Sequence, residues 1–201
     1  MISLQKRFLF VHVPRTGGNS VQSILQNYSE DEIVRSRGRQ DGVERFGVRS
    51  PYPTLKKHST LAEYRAALGE ERCAALYKFA CVRNPWERIV SRYFSPGRQV
   101  KEWDREAFAR LVLKTSPVAD YLRLRAEEKD PFENVDRMMR FENLAEDFRS
   151  VCAELSIPPA PLPEYNRSKR EHYSRYYDGE LRAVVDERFA LEIERFGYAF
   201  D

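Results

Sequence analysis

In Phe10-Val11-His12-Val13-Pro14-Arg15-Thr16-Gly17-Gly18-Asn19-Ser20, two adjacent glycines follow a proline and an arginine and lead into polar residues. Adjacent glycines let backbone N–H groups reach an anion without side-chain obstruction, and a helix starting there adds the positive end of its dipole. That is chemistry for holding phosphate or sulfate oxygens. The Walker A pattern GxxxxGK[ST] is not met, because the first glycine and the lysine before the hydroxyl residue are both missing. This weakens a kinase or NTPase reading without weakening an anion site. Alone, the stretch reads equally well as a tight turn.

A second stretch changes that balance. In Lys78-Phe79-Ala80-Cys81-Val82-Arg83-Asn84-Pro85-Trp86-Glu87-Arg88-Ile89-Val90-Ser91-Arg92-Tyr93, Arg83 closes an apolar run and Ser91 falls two turns into the helix that follows. An arginine fork and a serine hydroxyl at that separation can both donate to one phosphate. A candidate base lies between the two stretches. His58 precedes Thr60-Leu61-Ala62-Glu63, a capping box, and a helix N-terminus disfavours the imidazolium and leaves a neutral base. The alternative is a surface histidine in Lys56-Lys57-His58. His12, inside an apolar run, reads as a core residue, and His172 belongs to a solvated basic segment. Glu63 and Glu142 are reserve bases, better explained as a helix cap and a strand-end residue.

The elements that must position these groups follow from periodicity. Residues 7–13 and 77–83 are short β-branched and aromatic runs, each stopped by a turn signal, and 135–141 is a third. After the first, Val21, Ile24, Leu25 and Tyr28 recur at helical spacing. After the second, Asn84 as N-cap, Pro85 at the first helical position and Glu87 completing a box open a helix whose stripe is Trp86, Ile89, Val90, Tyr93 and Phe94. Leu61, Tyr64 and Leu68 mark a short helix ending near Gly69. Further helices are expected over 104–114 and 117–128, through Leu144, Phe148, Val151, Cys152 and Leu155, and over 179–196 with Leu181, Val184, Val185 and Phe189 inward. Residues 29–57 show no sustained periodicity and read as a long surface excursion that could contact substrate. Strand-then-helix order predicts one α/β domain over 1–201, with a P-loop-like central parallel sheet flanked by helices.

With these placements the chain resembles the sulfotransferases that use 3′-phosphoadenosine 5′-phosphosulfate (PAPS), best the Golgi-type carbohydrate enzymes and their bacterial relatives. The resemblance rests on FVHVPRTGGNS and KFACVRNPWERIVSRY, and more weakly on Arg140 to Leu144, Asn166 to Tyr173 and Phe196-Gly197-Tyr198. It implies that Arg15, Thr16, Gly17, Gly18, Asn19 and Ser20 hold the 5′-phosphosulfate. Arg83 and Ser91 then hold the 3′-phosphate, with Ser168, Lys169 and Arg170 as further contacts or a flap. It implies PAPS as donor, 3′-phosphoadenosine 5′-phosphate (PAP) as product, and in-line transfer to a hydroxyl with His58 as base. The expected acceptor is a carbohydrate or another small molecule. Arg15 departs from the lysine that the family usually carries there; its fork keeps the charge but favours binding over protonation. Tyr165, Tyr173, Tyr176, Tyr177 and Trp86 could each offer a surface to adenine, and none is assigned.

Bulk composition sets bounds. The 34 Lys+Arg against 31 Asp+Glu leave +3, too small a surplus to point to nucleic acid or a membrane surface. Arg35, Arg37, Arg39, Arg45 and Arg49 could hold an acidic saccharide or be solvated charges. Cys73, Cys81 and Cys152 have neither disulfide nor metal-ligand spacing and read as buried thiols, with no metal site expected. The run 8–13 is too short for a signal-peptide core or a span, so a cytoplasmic protein without stable membrane insertion is expected. Competing readings are a nucleotide or phosphate-ester kinase and a non-catalytic module binding nucleotides or polyanions. The oligomeric state is not legible.

Overall fold

The computed structural model describes residues 1–35, 46–95, 100, 102–163, 165 and 170–201. The chain opens with β1 (Ile2–Ser3) and turns back antiparallel as β2 (Phe8–Val11), pairing Ile2 with Leu9. Pro14, which lacks the N–H a ladder needs, lies just beyond β2. The chain then turns into α1 (Gly18–Leu25). Next come β3 (Glu32–Arg35) and β4 (Phe46–Arg49), then α2 (Leu61–Leu68) and α3 (Glu70–Ala74). β5 (Tyr77–Val82) leads into α4 (Pro85–Tyr93), followed by α5 (Arg105–Lys114) and α6 (Val118–Leu122). β6 (Arg137–Arg140), α7 (Leu144–Glu154), α8 (Gly179–Arg188) and α9 (Ala190–Phe196) complete the order.

The main sheet runs β1-β2-β5-β6, with β2, β5 and β6 parallel. Phe10 pairs with Phe79, and Val82 with Arg140. Alternation along the strands splits the core between the two faces. Leu9, Val11, Ala80 and Val82 pack with α2 and α6 through Leu61, Tyr64, Val118 and Leu122. Phe8, Phe10, Phe79, Cys81 and Met139 pack with α1 and α7 through Val21, Leu25, Phe148 and Val151. This is the expected α/β layering around a mostly parallel sheet. A third cluster joins α4, α5 and α8 around Ile89, Phe108, Val112, Leu181 and Val185. Cys73, Cys81 and Cys152 are free and buried, as their spacing implied. Among the described residues no helix is long and apolar enough to cross a membrane.

Several expectations need correction. The excursion 29–57 contains a two-stranded antiparallel sheet, β3 with β4, in which Ile33 pairs with Val48. Most of its positions are exposed or half-buried, so no period-2 signal of one buried face exists to be read. Arg37, Arg39 and Arg45 lie outside the described residues. The helix expected over 117–128 stops at Leu122, because Arg123 is extended and the Glu128 carboxylate takes up the Leu124 N–H and the Asn134 amide. The helix over 179–196 breaks at Phe189 into α8 and α9, and Glu192 turns fully inward. β1 and α3 had no counterpart in the pattern.

Candidate active site

The loop between β2 and α1 is built around two backbone constraints. Gly17 caps α1 at φ 84° with no side-chain cap, and a Cβ there would sit 2.5 Å from Leu144 Cδ2. Gly18 packs against the ring of His12, where a Cβ would lie 2.0 Å from Cδ2. Gly17 is thus favoured by its left-handed φ and Gly18 by the closeness of the His12 ring. Arg15 holds φ 69°, a left-handed conformation that costs a β-carbon residue about 1–2 kcal/mol. Two contacts hold it there. Its carbonyl accepts from Arg83 Nη1 at 3.2 Å, and its Nε and Nη2 donate to Ser91 Oγ at 3.1 and 2.9 Å. Arg15 therefore ties the first loop to the second.

Arg83 ends up beside it because β5 is parallel to β2, so both strands deliver their C-terminal ends to the same edge. Its guanidinium carbon lies 3.7 Å from the centre of the Phe141 ring. Nη1 also approaches Ser91 Oγ at 3.4 Å, and Nη2 donates to Glu87 Oε1 at 2.8 Å. Arg170 Nη2 donates to the same Glu87 oxygen. Ser91 Oγ, accepting from two arginines, keeps its own proton to donate. Burial, with Arg83 and Arg170 close by, pushes the Arg15 guanidinium down to about 10, so it is still charged at neutral pH. Burial also lowers Arg83, as does Arg170, against the opposing pull of Glu87.

His58 lines the same cleft as this cluster. Its Nδ1–H donates to the His12 carbonyl at 2.9 Å, which assigns the lone pair to Nε2. The His12 and His58 rings meet edge to face with centres 4.5 Å apart. Burial, then Lys57 and Arg92, pull the His58 value below the ordinary imidazole range despite the favourable backbone bond. His12 is buried, reaches Gln22 Oε1 through Nδ1 at 2.9 Å and is held neutral, mainly by burial. Both histidines line the same cleft as Arg15, Gly17, Gly18, Asn19, Ser20, Arg83, Ser91 and Arg170. Its volume of about 1260 Å³ exceeds the roughly 300–1,000 Å³ of ordinary small-ligand pockets.

Thr16 is placed differently. It is fully buried, and its hydroxyl donates to the Val13 carbonyl at 2.9 Å, holding the turn. Ser168 and Lys169 lie outside the described residues. Of the aromatic candidates, Tyr165 and Tyr173 line the cleft, whereas Trp86 packs away from it with Nε1 on Asp186 and its carbonyl on the Tyr177 hydroxyl. Glu63 completes the α2 capping box. Glu142 accepts from the Asn84 N–H at 2.9 Å and from the Tyr198 hydroxyl at 3.1 Å.

Glu87 does not complete the box assigned to it. The Asn84 side chain does cap the Glu87 N–H, but the Glu87 carboxylate faces Arg83 and Arg170 instead of returning to Asn84. Its spacing of four from Arg83 was the available signal, hidden by the fit to a capping pattern. Phe141 under Arg83 had no signal beyond its place after a strand.

A match to a known family decides between the competing readings of this cleft. The family model described as "Sulfotransferase family" matches residues 1–199. The chain belongs to the sulfotransferase family. Membership supports an enzyme that transfers a sulfuryl group, and the kinase reading gives way. Neither the curated proteins nor the solved structures compared with the chain contain a match.

Proposed function

We propose that this sulfotransferase uses PAPS and delivers the sulfuryl group to a hydroxyl of a carbohydrate acceptor, with His58 as general base. The observation that carries the reading is the tautomer of His58. With Nδ1–H committed to the His12 carbonyl, Nε2 is a lone pair in the same cleft as Arg15, Arg83 and Ser91.

The residues suit PAPS. Two guanidinium groups, of Arg83 and Arg170, share the Glu87 carboxylate, that of Arg15 lies close by on Ser91, and the buried Arg83 Nε has no hydrogen-bond partner among the described residues. A buried cationic donor without an acceptor is costly unless an anion completes it. Arg15, Gly17, Gly18, Asn19 and Ser20 would hold the phosphosulfate end, with Thr16 keeping the turn in shape. Arg83, Ser91 and Arg170 would hold the 3′-phosphate, joined by Ser168 and Lys169. When bound, PAPS supplies an activated sulfuryl group open to in-line attack.

The chain's own residues do the rest. His58 accepts the acceptor's proton at Nε2 and passes positive charge toward the His12 carbonyl through Nδ1–H. Arg15, charged at neutral pH, and the N–H groups at the start of α1 offset negative charge growing at the leaving phosphate. Arg15 contributes as a cation rather than as an acid, which suits arginine in place of lysine.

His58→Ala tests the assignment. With PAPS and a panel of hydroxyl-bearing glycans, transfer followed by mass should fall about 10²–10⁴-fold. PAP affinity should stay unchanged. Equal activity of the variant and the wild type would remove His58 from the mechanism.

A further inference from the structure

The arginine cluster contains an anion of its own. A single oxygen, Glu87 Oε1, accepts from Arg83 at the end of β5 and from Arg170 in the C-terminal segment. These side chains are about a tenth exposed, whereas that of Glu87 is 27% exposed. The helix start does not depend on the carboxylate, since Asn84 caps the Glu87 backbone N–H at 3.1 Å. Glu87 can therefore turn toward solvent with α4 intact.

The state of Arg83 shows what that turn would release. Nη1 is committed to the Arg15 carbonyl and approaches Ser91. Nε and Nη2 form the side of the fork that grips a phosphate or carboxylate through two parallel bonds. In Arg83 the Nε half of that grip has no partner among the described residues, and the Nη2 half is taken by one carboxylate oxygen. The grip is half used.

We propose that Glu87 is an exchangeable stand-in for a phosphate. It holds the Arg83 and Arg170 forks and yields them to a phosphate dianion, which fills both halves of the Arg83 grip. A singly charged or uncharged group offers too little to displace a carboxylate, so Glu87 makes this end of the cleft selective for a terminal phosphate. The inference rests on reading this end as the 3′-phosphate site of PAP.

Calorimetric titration of the full chain tests it. In Glu87→Gln, PAP should bind about tenfold tighter than in the wild type, the size of one lost charge competitor of about 1.4 kcal/mol. The nucleotide 5′-AMP, without the 3′-phosphate, should change far less. Glu146→Gln on the same cleft wall should shift PAP less than threefold if contact rather than general charge is responsible. A crystal structure with PAP should show the Glu87 carboxylate turned away from Arg83. Unchanged or weaker PAP binding by folded Glu87→Gln would overturn the inference, because the carboxylate would then stay to position the forks. If Glu87→Gln does not fold, Glu87→Asp, with a shorter reach to Arg170, should show a smaller gain, and no gain would count against the proposal. Should the wild type fail to bind PAP, inorganic phosphate separates the two claims. Tighter phosphate binding by Glu87→Gln would keep the exchange and reject the nucleotide, while no difference would reject both.

Discussion

Gly18 bears on the site more directly than its size suggests. Its missing Cβ leaves room for the His12 ring, which Phe10 stacks from behind at 5.9 Å between centres and which is only 3% exposed. The same residue's carbonyl fixes His58. Gly18→Ala should cost about 1–3 kcal/mol by overpacking, read as a lower melting midpoint, and should also depress transfer. His58 itself predicts a pH profile. Because its value lies below the ordinary ~6.5, the neutral base predominates at pH 7, and kcat/KM should fall only as pH drops through a value under 6.5. An acid limb above 6.5 would contradict the assignment. Part of this arrangement was legible in the sequence: it singled out Arg15, Gly17, Gly18, Arg83, Ser91 and His58, and the fold brings them to one cleft. Thr16 has its hydroxyl on Val13 and Glu87 its carboxylate on Arg83 and Arg170. Both orientations depend on neighbours that local spacing does not report.

Among the elements, α4, α6 and α9 are locked by a buried charge pair. Arg88 donates to the Ser116 carbonyl at 2.6 Å and lies 3.8 Å from Glu192, whose other oxygen takes the Val118 N–H. Removing one partner leaves the other buried and uncompensated, so Glu192→Ala should destabilise the fold by about 3–5 kcal/mol in chemical denaturation. Burial holds Glu192 up at about 7, above its ordinary 4.5. A group raised on folding stabilises fully below its unfolded value, so this contribution is present at pH 4.5 and lost as pH rises through 7. The break between α8 and α9 at Phe189 was invisible because Leu181, Val184, Val185 and Phe189 form one stripe that gives no stop signal, and α9 turns Glu192 inward. β1 is two residues long and β3 and β4 are mostly solvated, so neither carries a burial pattern. The β2, β5, α4 and α7 segments bury one face or both and were read correctly in kind.

For the whole molecule, parallel β2 and β5 place two loops at one sheet edge, and that single fact is what makes the glycine turn after β2 one end of the proposed clamp. The sulfotransferase family match fixes the chemistry in outline, and the arginines that line one cleft are the ground for the proposed anion site. The central assignment is that Arg83 and its neighbours recognise a 3′-phosphate. Calorimetric titration of the wild type and of Arg83→Ala with PAP, 5′-AMP and ATP tests it most directly. The expected result is a clear wild-type preference for PAP, with Arg83→Ala weakening PAP by about 1.5–3 kcal/mol, the range for a hydrogen bond to a charged group, and 5′-AMP far less. Equal wild-type affinity for PAP and ATP, or equal losses for PAP and 5′-AMP in the variant, would contradict it.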